Sequence, residues 1–150
     1  MEDWFDLVDD GQAYVFQDPP SSYGQGVSDK ASYIEGMRRR MKAAAVAVVD
    51  FMESSKSTPA LNVIRYQIIK SATSAAANYR AACVARSGKE FFAKMSIVVE
   101  ESDETVFWLE VLYASRIKVD KDLVISLGKE WRELTKMVSA ARRSYRSNRS

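Results

Sequence analysis

The sequence predicts an all-α chain: an up-and-down antiparallel four-helix bundle preceded by an irregular acidic N-terminal arm. Three observations predict it. Apolar residues recur at helical spacing in four separate stretches, short breaker clusters divide those stretches, and the N-terminal segment differs in composition from everything after it. On this reading residues 1–30 form the arm, 31–146 the bundle and 147–150 a basic tail. A chain of 150 residues, 47% hydrophobic, is long enough to bury one core.

Within the arm, Asp9-Asp10-Gly11 and Asp18-Pro19-Pro20-Ser21-Ser22-Tyr23-Gly24 are turn clusters that leave no room for a long helix. Trp4, Phe5, Leu7, Val8, Tyr14, Val15 and Phe16 are too apolar for a plain linker, so the arm is expected to dock, with a short helix or strand of its own. The first predicted helix opens near Asp29 or Ser32 as N-cap and carries the stripe Ile34, Met37, Met41, Ala44, Val48, Phe51. It ends at Ser54–Pro59, where Pro59 suits the first turn of the next helix. That second helix runs to about Ser87 with the stripe Leu61, Ile64, Ile68, Ala72, Ala75, Tyr79, Ala82. Its middle is built from small side chains that let a neighbouring backbone come close. The third runs from Lys89 to about Ser115 with Phe91, Met95, Val98, Ser102, Leu109 and Leu112 on one face. An adjoining face carries Lys94, Ile97, Glu101, Glu104 and Trp108. The fourth has the stripe Leu123, Leu127, Trp131, Leu134, Val138, Ala141, Tyr145 and ends in Arg142, Arg143, Arg146 and Arg149. Short connections make consecutive helices antiparallel neighbours.

Composition excludes several functions. The chain contains no histidine, which removes the usual general base, the commonest metal ligand and every Ser–His or Cys–His arrangement. The single cysteine, Cys83, excludes an internal disulfide and supplies too few ligands for zinc; it is read as a small packed residue. With neither a basic leader nor an apolar span of about 18 residues, a cytoplasmic protein off the membrane is expected. No enzyme activity, cofactor or metal is expected. Net charge is +2, but residues 1–29 hold seven acids and no Lys or Arg. All 22 basic residues and 13 of the 20 acids therefore fall in residues 30–150, a net of +9. A basic body behind an acidic leader points to a polyanionic partner, although a solvated surface needs charge in any case.

The run from Gln67 through Leu109 carries a resemblance. Gln67, Ser71, Thr73, Ser74, Ala77, Asn78, Tyr79, Arg80, Ala82, Ser87, Lys89 and Phe91, then Lys94, Ile97, Glu101, Glu104, Thr105, Trp108 and Leu109, stand in the order found in one family. The chain resembles the four-helix-bundle proteins encoded in 23S ribosomal RNA intervening sequences, a superfamily that includes the accessory variability determinant of diversity-generating retroelements. A looser likeness extends from about Arg38 to Arg143. Departures are Lys70 for an arginine, Ala72 and Ala76 for glycines, and Ala81 for a glutamate. The resemblance implies a homopentamer and a role linked to nucleic acid, in the retroelement branch beside a reverse transcriptase.

Four sets of residues carry the functional expectations. Lys70, Ser71, Ser74 and Asn78 on the second helix face Glu101, Glu104, Thr105 and Trp108 on the third. If the two helices fold back at Ser87-Gly88, facing residue numbers sum to about 175, so Ser71 would meet Glu104, Ser74 Glu101 and Asn78 Ile97. A register-fixing polar network or subunit interface explains buried carboxylates better than a paired-carboxylate active site does, since neither a base nor a metal site accompanies them. Arg80, Arg86, Lys89 and Lys94 surround one helix–helix turn, where phosphate contact competes with a merely solvated bundle end. Arg38, Arg39, Arg40 and Lys42, with Arg142, Arg143 and Arg146, fall at that same end in antiparallel geometry, although cations near a helix C-terminus also complement its dipole. The aromatics Tyr79, Phe107, Trp108 and Trp131 are expected in the core or an interface rather than as a stacking platform.

Two functions from different classes fit these sets. One is an oligomeric accessory protein that binds RNA or DNA through the basic end without reading sequence. The other is a protein–protein scaffold, or an intervening-sequence protein, whose basic rim docks an acidic protein. The acidic arm is expected to pack on the bundle and partly screen the basic end.

Overall fold

The computed structural model describes residues 3–9 and 26–147. Tyr14, Val15, Phe16, the Asp18–Gly24 turn cluster and Arg149 lie outside the described residues. Five helices follow in order: α1 (Trp4–Val8), α2 (Gly26–Ser54), α3 (Pro59–Cys83), α4 (Gly88–Ala114) and α5 (Lys121–Ser147). The four long helices pack as consecutive antiparallel neighbours, α2 on α3, α3 on α4 and α4 on α5, and α5 closes back on α2. Among the described residues there is no strand, so the expected all-α four-helix bundle is what the chain forms. No described helix is long and apolar enough to cross a membrane.

Helix boundaries follow local chemistry. Thr58 caps α3, its hydroxyl accepting the Leu61 N–H at 3.2 Å, with Pro59 opening the first turn as its fixed φ allows. Ser87 caps α4 by accepting the Glu90 N–H at 3.1 Å, and Glu90 returns the contact by accepting the Arg86 N–H at 2.9 Å. α3 therefore stops at Cys83, four residues before the expected Ser87, because Arg86 and Ser87 are committed to starting α4. The Asp120 carboxylate accepts the N–H groups of Asp122 and Leu123 at 3.0 and 3.2 Å and opens α5. Lys121 closes the preceding helix, donating from Nζ to the carbonyls of Leu112, Tyr113 and Ser115. α2 begins at Gly26, ahead of the expected cap, so Asp29 serves as a first-turn acid complementing the dipole.

The core confirms most of the stripes. Every expected α3 position, Leu61, Ile64, Ile68, Ala72, Ala75, Tyr79 and Ala82, is buried. Two expectations are corrected. Leu123 is 48% exposed and Val124 is fully buried in its place. Val124 precedes the buried Trp131 by seven residues, nearly two full turns, whereas Leu123 sits about 80° away on the wheel. Cys83 is exposed rather than packed, because Ala82 holds the inward position. Partial desolvation pushes its thiol up, the opposite of an activated nucleophile.

The described part of the arm docks as a single turn on α5. Trp4 and Val8 are each 4% exposed, and the Trp4 ring lies 5.5 Å from that of Tyr113. They close over Gly128, where a Cβ would lie 2.5 Å from Trp4 Cη2 and 2.8 Å from Val8 Cγ1. Asp9 accepts a hydrogen bond from Lys136 Nζ at 2.6 Å. Lys136 is 11 residues from the end of α5, about 16 Å along its axis. Asp9 thus neutralises Lys136, while most of the arm on which the expected screening of the basic end rests, with Glu2, Asp10 and Asp18, lies outside the described residues.

Candidate nucleic-acid interface

Antiparallel packing brings the start of α2, the end of α3, the start of α4 and the end of α5 to one end of the bundle. Cross-helix contacts fix the arrangement. Arg38 and Glu35 of α2 lie beside Cys83 at the end of α3, and Tyr33 lies beside Tyr79. Tyr145 of α5 packs on Phe91 and Phe92 of α4, with ring centroids 5.3 and 6.3 Å away. The three sequence-predicted basic clusters therefore fall at one end.

Their cations differ in how committed they are. Arg80, Lys89, Arg143 and Arg146 are exposed, and Lys94 and Arg142 are half-buried. The Arg86 side chain is 92% exposed and lies only loosely, at 3.8 Å, against Glu90. Arg38 and Arg39 both reach Glu35, at 2.8 and 3.2 Å, and those guanidinium groups hold the Glu35 carboxyl below its ordinary range. Arg40 is withdrawn from the cluster. It crosses to the middle of α5, hydrogen-bonding Glu130 and pairing with Glu133 at 3.0 Å, and its guanidinium also lies against Met137 Sδ. Those two carboxylates push its pKa up. Lys42, half a turn further along α2, stays exposed.

The polar seam between α3 and α4 forms near the expected register but with different partners. Ser71 Oγ and Thr105 Oγ1 lie 2.8 Å apart, both fully buried; one hydroxyl donates to the other, which in turn donates within its own helix, the Ile68 carbonyl being in reach of Ser71 and that of Glu101 in reach of Thr105. Ser71 meets Thr105 and not Glu104 because the inward position goes to a hydroxyl that can be satisfied there. A buried carboxylate would cost far more. Asn78 turns back along α3, its Nδ2 donating to the Ser74 carbonyl at 2.9 Å and to Ser74 Oγ at 3.1 Å. Glu101 and Glu104 remain half-exposed at the rim rather than buried. Partial burial, then the neighbouring Glu104 charge, pushes the Glu101 carboxyl up, and Lys70 pulls the other way. Beside them Ile97 is 36% and Phe107 50% exposed, and Phe107 stands edge-on to the half-buried Trp108 at 5.0 Å. Tyr79 and Trp131 lie in the core as expected.

Three functional or structural anchors were not read from the sequence: the Arg40 clasp, the Lys121 cap and the Gly128 slot. Only the last leaves a local signal, since an isolated glycine inside a helix costs about 1 kcal/mol against alanine and so implies a close approach. Among the described residues no group of three Cys, Asp or Glu is placed to hold a metal ion. Comparison with protein-family models, with curated proteins and with solved structures gives no match.

Proposed function

We propose that this chain is a non-enzymatic, cytoplasmic accessory protein that assembles as an oligomer, a pentamer, and holds nucleic-acid phosphates on the basic end of its bundle. The observation that carries the reading is the convergence of Arg80, Lys89, Arg142 and Arg146 from three helices, with Arg86 from the α3–α4 turn, onto one end, opposed there chiefly by Glu35 and Glu90. Solvent-accessible cations of this kind, four exposed and Arg142 half-buried, release condensed counterions when they meet a polyanion, and symmetric assembly multiplies individually weak contacts. Oligomer formation is supported by the α3–α4 flank, where Ile97, Phe107 and Trp108 give more apolar surface than one bundle core uses. The resemblance supplies the protein partner in this reading, a reverse transcriptase of a diversity-generating retroelement, with RNA or DNA as the bound polymer.

The same exposed flank favours a second reading, a scaffold that docks a protein and touches no nucleic acid. A titration against labelled RNA and DNA at two salt concentrations separates the two. Changing Arg80, Arg86 and Lys89 together to Ala is expected to weaken binding and flatten its salt slope by about 3, with helicity unchanged. Unchanged binding would reject the basic end as the site. Light scattering is expected to give five times the 16.9 kDa chain mass, and a stable monomer at micromolar concentration would reject the assembly.

A further inference from the structure

Among the described residues, the basic end displays exposed cations but no fully exposed ring. Tyr145 packs against Phe91 and Phe92, these three rings and that of Tyr33 are half-buried, and Tyr79 is only 7% exposed. The exposed aromatic side chains among the described residues, Tyr66 of α3 and Phe107 of α4, lie well along their helices from this end instead. At this end the exposed large apolar residue is Val84, 74% exposed, which has no planar face to offer a base. The Arg39 and Arg86 side chains nearby are 79% and 92% exposed.

Proteins that hold single strands combine a basic groove with aromatic faces on which unpaired bases stack, each such base contributing about 1–3 kcal/mol. A duplex keeps its bases stacked inside and offers backbone phosphates at about one charge per 1.7 Å of axis. We infer that the ligand of the basic end is a nucleic-acid duplex, gripped by its phosphates with no base contacted. The inference rests on the nucleic-acid reading above and narrows it to a class of ligand.

Counterion release sets the size of the preference. With five contacting cations on one subunit, Arg80, Arg86, Lys89, Arg142 and Arg146, the salt slope is about −4.5 on a duplex and about −3.5 on a single strand. One unit of difference in slope is about a tenfold preference for duplex per decade of salt below 1 M.

The test is fluorescence anisotropy of the full chain with four probes of equal length: unstructured oligo(dT), two DNA duplexes of opposite base composition, and an RNA duplex. At 0.1 M salt the duplexes are expected to bind about tenfold more tightly than oligo(dT), and the two DNA duplexes within about twofold of each other. Oligo(dT) binding as tightly as duplex overturns this inference and leaves the nucleic-acid reading standing. Strong discrimination between the two DNA duplexes, or between DNA and RNA duplexes, overturns the phosphate-only grip. Failure of all four probes to bind overturns the nucleic-acid reading and this inference with it.

Discussion

Replacing Gly128 with alanine is expected to release the N-terminal arm while leaving the bundle intact. The added Cβ would sit 2.5 and 2.6 Å from two carbons of the Trp4 indole and 2.8 Å from Val8 Cγ1, distances that no packed methyl group tolerates. Whether the arm yields or the bundle does depends on which is held more weakly. Burial of Trp4 removes about 150–250 Å² from water, a gross gain of about 4–6 kcal/mol. Ordering the five residues of α1 costs about 1–2 kcal/mol each, so the two quantities nearly cancel and the docked arm is only marginally held. α5, by contrast, gains up to about 1 kcal/mol when a helical glycine becomes alanine. Hydrogen exchange is expected to show loss of protection over residues 3–9. Tryptophan emission should shift red as Trp4 enters water, and the melting temperature should stay within about 4 °C of the parent. Retained protection over 3–9, or a fall in Tm beyond about 10 °C, would refute the reasoning.

Further expectations concern the polar seam and the clasp. Because the folded Glu101 carboxyl is raised, its contribution favours folding below its ordinary value near 4.5 and is lost as pH rises through the raised value, so ionised Glu101 opposes folding at neutral pH. Glu101→Gln should therefore raise Tm at pH 7, with the gain closing at pH 4; a lower Tm at pH 7 would contradict this. Arg40→Ala leaves Glu130 and Glu133 facing each other without a cation and is expected to cost about 1 kcal/mol by urea denaturation, less in high salt; a cost independent of salt would assign the effect to packing on Met137 instead. Ser71→Ala and Thr105→Val should each cost about 1 kcal/mol and the double variant less than the sum, whereas strict additivity would deny that the two hydroxyls interact.

How much of this was legible depends on whether the signal was periodic or pairwise. The α3 stripe was legible throughout because every buried position recurs at three or four residues, from Leu61 to Ala82. At the start of α5, Leu123 and Val124 both fit the pattern, and only the accumulated 3.6-residue phase against Trp131 separates them. The Ser71–Thr105 register came within one residue of expectation because a tight turn at Ser87 and Gly88 fixes the sum of facing numbers. The choice of Thr105 over Glu104 did not, since it depends on which side of α4 can satisfy a buried polar group. The gathering of basic clusters followed from topology alone. The diversion of Arg40 from that cluster could not be read, because its acidic partners lie on a helix 90 residues away.

That separation bears on the order in which the chain assembles. Three of the four seams join helices adjacent in sequence, each closed by a short connection, and such local contacts form early and fast. The α2–α5 seam joins the two outermost long helices, and its loop entropy is compensated only once α3 and α4 are in place between them. The Arg40 clasp spans this late seam and belongs to the downhill side of the folding barrier. It therefore acts as a latch on the finished bundle: it governs how slowly the protein comes apart and leaves the rate at which it forms to the inner helix pairs.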